Sequence, residues 1–156
     1  MNNTLNVLYN LVLSLWIGGI SIFTFLMTPV IFRAFDRDMA GKIVGKLFPG
    51  YFLFLLILAV LALILILAGR HVIASSGFKL SLTFIVIALI MNVFVTFKLH
   101  PEMKQIKQEI HSFESLSPDS PLRKRFGKLH AVSAVLNLLL LADGVTLLII
   151  NNLIKK

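Results

Sequence analysis

Residues 51–69 read YFLFLLILAVLALILILAG, an apolar run with no charge and no period-two alternation, closed by a glycine. A helix rises about 1.5 Å per residue, so a run of about 20 residues crosses the roughly 30 Å of hydrocarbon in a bilayer. Backbone N–H and C=O groups in lipid must be satisfied within their own segment or in a closed barrel, and a continuous apolar run selects the helix. Working outward, the run extends back to residue 47, and comparable runs cover 5–32, 80–97 and 129–153. The fold class expected is all-α: a polytopic membrane protein, one four-helix transmembrane bundle over 1–156. Its spans fall at approximately 5–32, 47–69, 79–99 and 126–153, with short amphipathic helices in the cytoplasmic loops.

Composition supports one domain in lipid. Hydrophobic residues make up 58% of the chain and charged residues 14%, with a mean hydropathy of +0.92. Four spans in 156 residues leave no room for a soluble catalytic module, so any chemistry must use the spans, their ends or the short loops. Without cysteine there are no disulfides, thiolate metal sites or Cys nucleophiles. Residues 1–6 carry no Lys or Arg, and the first apolar run is too long for a cleavable signal core, so it is expected to remain as the first helix.

The net charge of +8 is distributed by loop. Loop one carries Arg33, Arg37, Lys42 and Lys46, and loop three carries Lys98, Lys104, Lys107, Arg123, Lys124, Arg125 and Lys128. The opposite side has only Arg70, Lys79, Lys155 and Lys156. The positive-inside rule then places loops one and three in the cytoplasm and both termini outside. The basic clusters face anionic headgroups of the lipid bilayer. No basic groove interleaved with aromatics accompanies them, so nucleic acid is not an expected partner. The bacterial inner (cytoplasmic) membrane is the expected location.

Both basic loops carry amphipathic patterns. Phe32, Phe35, Met39 and Ile43 recur at helical spacing in loop one, which predicts a short interfacial helix. In loop three, Pro101 can open a new helix whose stripe Met103, Ile106, Ile110 and Phe113 is expected to lie on the bilayer. SLSPDSP at 115–121 reads as a turn, and Ser120-Pro121 as an N-cap followed by Pro at N1, starting the fourth helix at about Leu122. The two halves share punctuation: Thr28-Pro29, a basic loop and Phe48-Pro49, then His100-Pro101, a basic loop and Leu129-His130.

Polar residues inside the apolar runs fall on faces. Asn92, Thr96 and His100 are four apart on the third helix, and His130, Ser133, Asn137 and Gly144 share a face of the fourth. The helices run in opposite directions, which sets His100 and His130 at similar cytoplasmic depth and Asn92 and Asn137 deeper. Asn92, Thr96, His100, His130, Ser133 and Asn137 are therefore the candidate lining of a polar, cytoplasm-facing pocket. Helix one adds a stripe of Ser14, Gly18, Ser21 and Thr28. Packing explains much of this pattern equally well, because small and hydrogen-bonding residues hold membrane helices together. Asp143 is the acid deep in a span. It either bonds helix four to Ser14 or Ser81, or carries a proton or cation with Arg70 or Lys79 as partner. His71 and His111 are isolated loop residues.

Three stretches carry a family resemblance: VLSLWIGGISIFTFLMTPVIFRAF and GKLFPGYF within 12–52, KLHP at 98–101, and FGKLHAVSAVLN at 126–137. Together they resemble the membrane domain of unknown function in transmembrane protein 205 and its bacterial relatives. The distinctive elements are Gly18-Gly19, the Phe48-Pro49-x-Tyr51 motif and the motif LHxxSxxxN, with Pro29 and Pro101 at helix ends. The resemblance implies a four-span bundle. Animal members are linked to platinum-drug resistance and vesicular export, a cellular association rather than a reaction. Relatives can carry Glu at the position of His100, an exchange that a proton or hard-cation site tolerates better than a bis-histidine haem site does.

Three function classes fit. One is a non-enzymatic module: an accessory subunit of a larger membrane complex, a homo-oligomer, or a transport-related protein. Another is a redox or metal-handling protein in which His100 and His130 hold haem or a metal ion, aided by Met27, Met91 or Met103. The third is an intramembrane hydrolase, for which Ser133 shares the His130 face but has no acidic orienter or nucleophile elbow.

Overall fold

The computed structural model describes residues 3–69, 75–110 and 112–153. Among these no strand forms, and four helices are long and apolar enough to cross a membrane. Helix α1 comprises Asn3–Ser21, a π-helical stretch Ile22–Met27, and Thr28–Ala34. Helix α2 is Arg37–Ala68. Helix α3 comprises Ser75–Phe94, a π-helical stretch Val95–Leu99, and His100–Glu109. Helix α4 is Pro121–Leu153, beginning within a residue of the start expected from Ser120-Pro121.

The helices close a ring. α1 packs on α2 and α4, and α3 packs on the same two, while among the described residues α1 and α3 do not approach each other at the backbone, nor do α2 and α4. The inward face of α1 is Tyr9, Leu13, Trp16, Ile20 and Phe23, at alternating spacings of three and four. Facing it are Leu55, Ala59, Ala62 and Ile66 of α2, Ile85 and Ala88 of α3, and Leu140 and Leu147 of α4. Leu53, Ile57, Ile64, Ile90 and Phe97 point outward and are exposed, as expected for a surface whose solvent is acyl chain.

The prolines do not end the membrane helices. Pro29 and Pro101 each lie in the first turn of the α-helical piece that follows a π stretch, and Pro49 lies inside α2. A proline removes one N–H and crowds the carbonyl four residues back. Widening the preceding turn relieves that crowding: Thr28 N–H donates to Phe23 O and His100 N–H to Val95 O, both five residues back. The amphipathic stretches expected in the loops are helical, but they extend the membrane helices. Asp36 caps α2 by accepting from Met39 N at 2.7 Å, so the segment carrying Met39 and Ile43 forms its first turns. Ile106, Ile110 and Phe113 are buried against Leu116, Leu122, Phe126 and Leu129, and Met103 is buried in the main core, against which Phe126 and Leu129 also pack, so this stripe packs on the first turns of α4. The sequence expectation that it would lie on the bilayer is corrected: the first turns of α4 supply a protein surface for it.

Candidate functional site

At the centre of the ring a hydrogen-bonded bridge joins three helices. Tyr51 Oη of α2 donates to Asn137 Oδ1 of α4 at 2.6 Å, and Asn137 Nδ2 donates to Thr24 Oγ1 of α1 at 2.7 Å. The Tyr51 ring stacks on Phe23 with centroids 4.2 Å apart and planes 13° apart. Phe23 also meets Phe48, which stacks on Phe52. The Phe48-Pro49-x-Tyr51 motif thus delivers two aromatic rings to the interior one turn apart. Gly19 permits this approach of α1 to α2, since a Cβ there would come within 2.9 Å of the Phe54 ring. Gly18 beside it has open space.

On the other flank of the bridge, Asn92 is fully buried and donates to Ala88 O at 3.1 Å. Its Oδ1, and the Oγ1 of Thr96 one turn on, are buried without a hydrogen-bond partner. Thr24 and Thr96 occupy matching places. TFLMTP at 24–29 and TFKLHP at 96–101 each run from a π stretch into a proline-led α-helix. The repeat seen at Thr28-Pro29 and His100-Pro101 therefore extends back to two threonines in quasi-equivalent helices, one bonded to Asn137 and one unpartnered. π turns widen the helix where functional groups often sit.

The histidines turn to different neighbours. His100 is half-buried with its ring edge-on to Phe48 and Phe52, at centroid distances of 6.0 and 5.8 Å. His130 is exposed and stacks on Phe126 of its own helix, at 6.2 Å. Ser133 is buried. Among the described residues no three His, Asp or Glu side chains come together as a metal-binding group. His71, His111 and Arg70 lie outside the described residues.

Asp143 is 5% exposed and its Oδ2 has no hydrogen-bond partner. Ser14 is exposed, and among the described residues no hydrogen bond from Ser81 reaches the acid. Tyr9 of α1 is fully buried with an unpartnered hydroxyl, as is the Trp16 indole N–H. Gly144 lets Trp16 and Ile17 of α1 close on α4. At the end of the bundle where α1 begins and α4 ends, Asn151 Nδ2 donates to Asn6 Oδ1 at 2.9 Å and to Asn10 Oδ1 at 2.8 Å.

Loop three is clasped to the start of α2. Asp38 accepts from Ser112 Oγ at 2.6 Å and Phe113 N at 2.8 Å, and these bonds hold its carboxyl below the ordinary carboxylate range. Lys107 Nζ donates to Gly41 O, and burial pushes its amine down. Arg37 lies over the Phe113 ring at 5.8 Å. Sequence reasoning singled out Asn137 and Tyr51 separately and missed Thr24, Tyr9, Asn151 and the Asp38 clasp. The TF-x-x-x-P repeat is the signal that could have found Thr24.

A family model described as a domain of unknown function, DUF4149, matches residues 11–112, from α1 to the loop-three clasp. An uncharacterised protein of Aquifex aeolicus (strain VF5) is 32% identical over 140 residues, covering 88% of this chain and 91% of that protein. No solved structure matches. The chain belongs to the DUF4149 family, an all-helical bundle here with four helices fit to span a membrane.

Proposed function

We propose that the bundle is a non-enzymatic membrane module, transport-related or accessory to a larger assembly, with a polar interior that opens towards the cytoplasm between α3 and its neighbours. The observation that carries this reading is the pair of buried, unpartnered acceptors, Asn92 Oδ1 and Thr96 Oγ1, beside the Tyr51–Asn137–Thr24 bridge. An unsatisfied polar atom in a low-dielectric interior costs about 1–3 kcal/mol, so these atoms are best understood as meeting water or a solute. His100 forms the cytoplasmic rim of this interior, while Ser133 and His130 belong to the α4 wall. The Aquifex relative supports a bacterial inner membrane, and the charge asymmetry supports termini on the outer side. The motifs resembling transmembrane protein 205 support kinship with that wider group.

Extraction at native abundance in mild detergent, followed by a density map, tests the proposal. The expected result is a second protein chain against the helices, or ordered non-protein density at Asn92 and Thr96. A lone bundle with a dry, closed interior overturns it.

A further inference from the structure

Asp143 lines an open apolar groove of about 230 Å³ between α3 and α4, together with Phe84, Ile87, Met91, Leu139, Ala142 and Thr146. The rim residues Ile87 and Leu139 are 44% and 50% exposed, so the groove opens sideways onto the acyl chains. Asp143 stands about ten residues, roughly 15 Å, from the end of α4, close to the middle of the span. We propose that this groove is a binding site for a lipophilic monovalent cation, whose positive head pairs with Asp143 and whose apolar body lies between α3 and α4.

Charge and shape both argue for that occupant. The carboxyl is more than nine-tenths buried, its Oδ2 is unpartnered, and among the described residues no cationic side chain forms an ion pair with it. The nearby hydroxyl of Thr146 is committed to Ala142 O at 2.8 Å. A carboxylate in hydrocarbon needs a proton or a countercharge. With the groove empty a proton meets that need; a cation partitioned into the bilayer meets it with the proton released. The apolar walls favour a hydrophobic body over a hydrated metal ion, and the Phe84 ring adds a face that attracts positive charge. This inference does not rest on the cytoplasm-facing interior proposed above.

Saturable binding of tetraphenylphosphonium to the purified protein in lipid nanodiscs, measured against empty nanodiscs, tests the site. The wild type is expected to bind, and Asp143→Asn to lose affinity by about tenfold or more, the usual scale for removing one partner of a desolvated charge pair. Leu139→Trp fills the rim without touching the carboxyl and is expected to weaken binding comparably. Absence of saturable binding by the wild type overturns the proposal, as does undiminished binding in a folded Asp143→Asn. Should Asp143→Asn fail to fold, Leu139→Trp decides: retained affinity there places the cation elsewhere.

Discussion

Tyr51 and Asn137 sit on helices that never approach each other at the backbone, yet their side chains meet at 2.6 Å. The phenol is long enough to cross the ring, and its aromatic body is held by Phe23 while its tip finds the amide. One side chain therefore does for the diagonal what ridge-and-groove packing does for the adjacent pairs.

Removing the hydroxyl in Tyr51→Phe is expected to destabilise the bundle by about 0.6–2 kcal/mol, the range for interhelical hydrogen bonds in membranes. Asn137→Leu removes both bonds of the bridge. Unfolding free energies in detergent for the two single variants and the double variant should be non-additive, because once Asn137 is Leu the Tyr51→Phe change has no bond left to break. Strict additivity would show that the two residues stabilise independently.

The Asp38 clasp carries a pH dependence with a definite sign. The folded-state pKa lies below the unfolded value, so the contribution is complete above the ordinary carboxylate pKa of about 3.9 and fades as pH falls through the folded value. Limited proteolysis should cut residues 110–120 more readily in acid than at neutral pH. Asp38→Ala should show the acid pattern already at neutral pH; equal cleavage of both proteins at neutral pH would sink the clasp.

Two glycines on the sequence-selected faces should respond oppositely. A Cβ at Gly144 would lie 3.2 Å from Ile17 Cγ1 and 3.6 Å from Trp16 Cδ1, and Trp16 is fully buried. Gly144→Val should therefore cost about 1–3 kcal/mol through overpacking. Gly18→Ala meets nothing within 4 Å and should be neutral or slightly stabilising, since alanine favours the helix by up to about 1 kcal/mol. Thermal melts of the purified variants separate the two cases.

Orientation is checked by single cysteines in the naturally cysteine-free chain. An impermeant thiol reagent added outside intact cells should label Lys79→Cys and leave Arg33→Cys and Asp119→Cys unmodified until the cells are opened. The reverse pattern would invert the topology.

The bundle was legible because lipid leaves so few options: apolar runs of sufficient length, free of alternation, can only be helices. The helix ends were less legible. Thr28-Pro29 and His100-Pro101 read as punctuation, yet a membrane helix continues through proline by widening one turn, and nothing in the local pattern of residues 22–27 distinguishes π from α. Angular spacing groups Asn92 with Thr96 on α3 and gives Asn137 its face on α4, but it cannot name the neighbour each side chain reaches. Asn137 reaches Thr24 and Tyr51 on α1 and α2. Whether a helix end lies on lipid or on protein likewise depends on its neighbour: Met103 and Ile106 are covered because α4 begins as early as Pro121.

Side-chain hydrogen bonds tie the first half of the molecule to the second: Thr24 and Tyr51 to Asn137, Asp38 to Ser112, Asn6 and Asn10 to Asn151, Gly41 to Lys107. Synthesis proceeds from the amino terminus, so α1 and α2 are already in the bilayer when α4 leaves the ribosome. The amide of Asn137, costly to leave bare in lipid, arrives to find both partners in place. The first hairpin thus acts as a template during biogenesis, and the second is captured by it.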